Sequence, residues 1–204
     1  MKLLVLLLGM LVIVPLTQEF FQLQALRDLF FAAIICYAAY AFNRNKRMRA
    51  AVAVLALPVI ASLGLKPFVQ SIWVAVFGEL CGIFFVALIA IAILAYIFQQ
   101  KDIDADIIAG AVVAYLLMAI MWSLVYSVLE AVHPGSFKFP EETAHPGHEA
   151  FTYFSLVTIT TVGYGDVTPV RPVARALSNL EAHVGQLYLV ILVSWLVGKY
   201  IKEK

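Results

Sequence analysis

"TITTVGYGDVTP", Thr158–Pro169, is the stretch on which the reading of this chain turns. Two glycines flank a tyrosine, threonine hydroxyls precede them, and a carboxylate, Asp166, follows. So many polar and flexible positions stand out in a chain of 204 residues that is 63% hydrophobic and only 13% charged. That apolar share lies far above the range of an ordinary soluble domain and puts the chain in the membrane class. A net charge of +1 gives no reason to propose a nucleic-acid partner. Cys36 and Cys81 both sit inside apolar runs, so they read as small core residues rather than a secreted disulfide framework.

Apolar stretches of about 20 residues can cross a bilayer. Six are candidates: Leu3–Phe21, Leu23–Phe42, Ala50–Leu65, Ile72–Phe98, Ile107–Ala131 and Val173–Lys199. The first follows Lys2 as a signal peptide would, but no small-x-small cleavage site comes after it, so it reads as an uncleaved span. The second carries Arg27 and Asp28 near its start, and the third is short and contains Pro58. With a cytoplasmic N-terminus, Lys2, Arg44, Lys46, Arg47, Arg49, Lys101, Lys199, Lys202 and Lys204 fall inside. Arg27, Lys66, Lys138, Arg171 and Arg175 fall outside, a bias that fits the positive-inside rule and makes the C-terminus cytoplasmic too.

The longest non-spanning region is Val132–Pro172, and it divides in two. "HPGSFKFPEETAHPGHE" is polar and rich in proline and glycine, which reads as an exposed outer loop. "AFTYFSLVTITT" is apolar, about one helix long, and too short to cross the membrane. A re-entrant helix fits it, because irregular backbone is tolerated at membrane depth where it lines a polar cavity. The expected fold is therefore an all-α membrane protein with six transmembrane helices and a re-entrant pore helix between the last two. Residues 1–104 form a peripheral four-helix domain. Residues 105–204 form a pore domain, with outer helix 107–131, outer loop 132–149, pore helix and filter 150–166, and inner helix 173–199.

A cation crossing a bilayer must exchange its water shell for something equally polar. Gly163 and Gly165 permit backbone angles that turn successive carbonyls to one side, which ordinary residues resist. Thr161 adds a hydroxyl at the inner end, and the helix before it aims its negative C-terminal dipole at the ion. Thr161–Gly165 read "TVGYG", and Ala150–Pro169 resembles the pore helix and selectivity filter of the potassium-channel family. The resemblance implies a homotetramer with four filter strands around one pore. It places K+ at the Thr161 side chain and carbonyl and at the Val162, Gly163 and Tyr164 carbonyls. It also implies filter support from Asp166 and Thr160, and from Tyr153, whose phenol can donate to Asp166 where many relatives carry tryptophan. Some bacterial relatives have a glutamate where Val157 stands, so their inactivation behaviour is not carried over.

"SNLEAHVGQLYLVILVSWLVGKY" resembles the family's inner helix, with Gly185 where a hinge glycine often falls. Glycine costs a helix interior about 1 kcal/mol, so either a close helix contact or a gating hinge must account for it. Asn179, Gln186 and Val193 share a face. If that face lines the cavity, Gln186 is a polar wall, and Leu189, Val193 and Val197 form an apolar inner mouth; plain helix packing is the alternative. Glu181 lies five positions before Gln186, about 140° round the helix. There it faces the pore helix and braces the filter from behind, unless it reaches outer water or pairs with Arg175 or His183.

Six spans with the pore last are similar to voltage-gated channels, whose sensor repeats basic residues along the fourth helix. "IWVAVFGELCGIFFVALIAIAILAYIF" contains none, and "RNKRMR" reads as a cytoplasmic topology anchor. Glu79 in that span either pairs with a neighbouring helix or sits near the outer headgroups with Lys66. Only "IKEK" follows Tyr200, so no cytoplasmic ligand-sensing domain is expected. His133, His145 and His148 stand near Glu141, Glu142 and Glu149. Four copies would suit zinc or protons, while a solvated turret is the plainer reading. The expectation is a passive potassium-selective channel in the plasma (bacterial inner) membrane, with no catalysis and no cofactor beyond the permeant ion. A silent or regulatory subunit of a heteromeric channel, a component of a potassium uptake transporter and a nonselective cation channel are the rivals.

Overall fold

In the computed structural model, residues 2–21, 54, 56–61, 71–100, 102–140 and 147–202 are described. Helix α1 spans Lys2–Phe21, α2 Ile72–Gln99 and α3 Ala105–Val132. A short helix, α4, covers His148–Ile159, and a long one, α5, covers Pro172–Lys202. Among the described residues, α2, α3 and Pro172–Lys199 of α5 are long and apolar enough to cross a membrane, so the chain is an integral membrane protein. Each matches a span read from the sequence to within two residues at either end. The Leu23–Phe42 candidate lies outside the described residues; of Ala50–Leu65, residues 54 and 56–61 are described, and these are helical.

The helix starts follow from local chemistry. Asp104 caps α3, accepting from the Ile107 amide at 2.8 Å, and Asp106 complements the dipole in the first turn. α5 opens on Pro172, whose missing N–H is no loss at the first helical position. α4 begins at His148, two residues before the position read from the sequence, with Glu149 in its first turn.

Two packed regions position the site. Leu7 of α1, Phe85, Val86 and Ile89 of α2, and Leu117 and Ile120 of α3 form an aliphatic core. On the other side, Trp122 and Tyr126 of α3 meet Phe151 and Phe154 of α4, with Phe137 and Ala174 completing the cluster. Phe137 stands edge-on to Tyr126, Phe151 and Phe154, with centroids 5.3, 5.6 and 5.3 Å away. Such edge-to-face contacts add specificity to apolar burial and fix the tilt of α4.

Within this mostly helical fold, the loop expected to be exposed carries one short strand pairing and one buried ring. Phe137–Lys138 (β1) pairs antiparallel with Thr168–Pro169 (β2), Phe137 opposite Pro169. Phe137 is buried because its ring fills the aromatic cluster, and that anchors the loop. Glu130 adds a second tie, accepting from the amides of Gly135 at 2.7 Å and Phe137 at 3.1 Å.

Candidate functional site

The last turn of α4 hands the chain to an extended strand without losing hold of it. The Thr160 amide still bonds Leu156, and the Thr161 amide bonds the Thr158 carbonyl at 2.9 Å. The Val157 carbonyl then accepts from both Val162 at 3.0 Å and Gly163 at 3.3 Å. The Thr160 hydroxyl donates back to Leu156 at 2.6 Å. With these amides tied back toward α4, φ is positive at alternate residues: Thr161 at 60°, Gly163 at 57° and Gly165 at 80°. Among the described residues, the carbonyls of Val162, Gly163 and Tyr164 accept no hydrogen bond. Glycine takes this backbone freely, whereas Thr161 bears a strain of about 1–2 kcal/mol. Its hydroxyl accepts from Gln186 Nε2 of α5 at 3.3 Å, which brings the inner end of the strand and the inner-helix glutamine together.

At the other end of the strand, the Tyr153 hydroxyl donates to Asp166 Oδ2 at 2.7 Å, and the Val167 amide donates to Oδ1 at 2.9 Å. The Tyr153 and Tyr164 rings lie nearly parallel, 8° apart with centroids at 6.4 Å. The bond from Tyr153 holds the Asp166 carboxyl below the usual carboxylate range, and the same bond pushes the Tyr153 phenol up to about 12. A depressed carboxyl contributes above its ordinary pKa and is lost as pH falls through the lowered one. A raised phenol contributes below its ordinary value and is lost as pH rises through about 12. The brace therefore spans the whole neutral range. Tyr153→Phe removes the donor, so the carboxyl returns toward its ordinary range and the stabilisation it gave at neutral pH, together with its loss in acid, disappears. A titration of melting temperature from neutral toward pH 3 checks this: the Phe variant should melt lower at neutral pH and the gap to the parent should narrow as the pH falls, and superimposed curves would refute the brace.

Behind the strand, Glu181 of α5 is fully buried. Tyr126 of α3 donates to its Oε2 at 2.5 Å, and Ser155 of α4 contacts its Oε1. Arg175 and His183, considered as its partners, are engaged elsewhere, on the carbonyls of Pro169 at 3.2 Å and Asn179 at 2.6 Å. Tyr115 of α3 donates to the Ile159 carbonyl at 2.9 Å, and Tyr188 of α5 donates to that of Ala111 at 2.6 Å. Gly185 sits against the end of α4, where an added Cβ would lie 2.5 Å from the Ile159 carbonyl oxygen. That close approach accounts for a glycine here without calling on a hinge.

Leu189, Val193 and Val197 lie further along α5 and are substantially exposed in the single chain. Glu79 of α2 pairs with His148 at the start of α4, 3.2 Å apart, which joins α2 to the short helix. No group of three potential metal ligands occurs among the described residues; Glu141, Glu142 and His145 lie outside them.

Sequence reasoning missed Tyr115, Tyr126 and Tyr188. A signal existed for the first two, since eleven residues make about three helical turns and put both phenols on one face of α3.

Residues 106–202 match the ion channel family. Over 85 residues the chain is 36% identical to two pore potassium channel c of Oryza sativa subsp. japonica, covering 42% of this chain and 17% of that protein. Over 92 residues it is 33% identical to inward rectifier potassium channel Kirbac3.1 of Paramagnetospirillum magnetotacticum, covering 43% of this chain and 28% of that one. The chain thus spans under a third of the length of these relatives. No solved structure matches. Residues 106–202 are thus similar to ion channels, and both of these relatives are potassium channels.

Proposed function

We propose that this protein is a potassium-selective channel subunit that passes K+ passively through a homotetrameric pore. One observation carries the reading: φ is positive at residues 161, 163 and 165, while the carbonyls of Val162, Gly163 and Tyr164 accept no hydrogen bond from the described residues. Those carbonyls, with the Thr161 hydroxyl and carbonyl, are the K+ ligands, and Gly165 closes the outer turn. Tyr153, Thr160 and Asp166 hold the strand in place.

A single strand cannot surround an ion, and the exposed surfaces point to further copies. Val162 is 54% and Tyr164 71% exposed in the isolated chain, although both belong to the most constrained segment. Of the most apolar 18 residues of α5, 17% are buried within the chain, against 61% for α3. Packing against sister copies of α5 and the bilayer covers the rest. Gln186 then lines the cavity, and Leu189, Val193 and Val197 form its apolar inner mouth. The pore helix and filter enter the membrane from the outer side, and both termini are cytoplasmic.

α2 carries no arginine or lysine, so the channel is not gated by a charged helix there. The test is purified chain in liposomes with no other protein, read as reversal potential under mixed potassium and sodium gradients and as open probability across voltage. Potassium selectivity with a shallow voltage curve is expected. Equal permeability, or flux only beside a second subunit, would refute the proposal.

A further inference from the structure

Glu181 sits among three helices with neighbours whose protons can be counted. Ser155 Oγ lies 2.7 Å from the carbonyl oxygen of Ala119 on α3 and also contacts Glu181 Oε1. A carbonyl only accepts, and a serine hydroxyl has one proton, so Ser155 cannot donate to both. Tyr126 supplies one further proton, to Oε2. An ionised Glu181 therefore leaves three close oxygen–oxygen contacts (Tyr126 to Oε2, Ser155 to Oε1 and Ser155 to the Ala119 carbonyl) with two protons between them.

Among the described residues, no cation offsets such a charge. Arg175 and His183 of α5 are turned to backbone carbonyls, α3 presents the phenols of Tyr115 and Tyr126, and α4 presents the Ser155 hydroxyl. A buried carboxylate without a cationic partner is expensive. One proton on Oε1 closes the set: Glu181 donates to Ser155, Ser155 to Ala119, and Tyr126 to Glu181. Every group is then satisfied, and three helices are keyed by one chain of hydrogen bonds.

We propose that Glu181 is a proton-bearing carboxylic acid that keys α4 to α3 and α5, and through α4 positions the Thr161–Gly165 strand. The route from Ser155 to the strand is short. The Val157 carbonyl, one half-turn further along α4, holds the amides of Val162 and Gly163. Glu181 is thus a positioning residue that touches no ion, and its role rests on the filter reading above.

The experiment uses the full chain in liposomes at pH 7. Infrared spectra of the parent and of Glu181→Gln are compared for the carbonyl band of a protonated carboxyl, identified by its shift in heavy water. The parent should show the band and the Gln variant should lack it. Ser155→Ala should keep the band but move it to higher frequency, because the acid loses its acceptor. In flux, Glu181→Gln should match the parent's potassium selectivity within about twofold, while Glu181→Ala should lose about tenfold or more, the scale of stranding the buried Tyr126 hydroxyl. Absence of any Glu181-dependent band would overturn the proposal, as would an Ala variant equal to the parent. The infrared result does not depend on conduction. A parent that fails to select potassium would count against the proposed function alone.

Discussion

Gly163→Ala is expected to bring the potassium-to-sodium permeability ratio close to one, or to stop conduction, in a chain that still folds. The cause is the backbone. Gly163 has φ 57°, and an added Cβ meets nothing within 4 Å, so space is not what excludes alanine. A side chain in the left-handed region costs about 1–2 kcal/mol, and four copies in the proposed tetramer raise that to about 4–8 kcal/mol. The strand can relieve this by turning the Gly163 backbone to negative φ. That rotation carries a carbonyl away from the axis and breaks the run of like-facing oxygens. Gly135 provides the control, because it has φ 79° in the outer turn with equally open space. Gly135→Ala bears the same backbone cost away from the filter. It should lower stability by about 1–2 kcal/mol and leave the permeability ratio unchanged. Equal ratios for the two variants would show that the conformation of Gly163 does not set selectivity.

The contrast between Gly163 and Thr161 shows what the sequence made legible. Glycines at alternate positions announce left-handed backbone, so much of the strand could be read directly. Thr161 adopts the same region against its own preference, and its residue type argues the other way. It is held there by its local amide bond to Thr158 and by Gln186, and the second tie exists only once α4 and α5 are packed. The three long spans were legible for a simpler reason: length and hydropathy are local properties. β1 and β2 were not, because each is two residues long, one contains a proline, and their pairing depends on Phe137 entering an aromatic cluster built from distant helices. Glu181 falls between these cases. Its charge and its angle from Gln186 marked it as facing the pore helix, and Ser155 is there. Its second partner, Tyr126, comes from α3, and the turn of one helix says nothing of a third helix 55 residues away.

The second large effect is expected at Gly185. In an open helix, Gly→Ala gains about 1 kcal/mol from propensity. Here the new Cβ would stand 2.5 Å from the Ile159 carbonyl oxygen and 2.6 Å from Ile159 Cγ1. The first of these is backbone, so it cannot be relieved by a rotamer change. Nor can the carbonyl retreat freely, since Tyr115 donates to it at 2.9 Å from α3 and Ile159 is fully buried. Overpacking costs about 1–3 kcal/mol, and a doubly held backbone oxygen puts this site toward the upper end, so repulsion exceeds the propensity gain. The displaced residue adjoins Thr160 and Thr161, so the shift reaches the inner end of the filter. Gly185→Ala should therefore melt lower than the parent and lose potassium selectivity. Gly110→Ala on α3 is the comparison. Its Cβ would meet Ile97 Cδ1 at 3.5 Å and Ile93 Cγ2 at 3.7 Å, ordinary contacts, so that variant should be neutral or more stable. A hinge predicts a different pattern for Gly185→Ala: unchanged melting, unchanged selectivity and an altered open probability. Melting and permeability measured on both variants separate the two readings, and a Gly185→Ala protein as stable and selective as Gly110→Ala would rule out the close contact as the reason for the glycine.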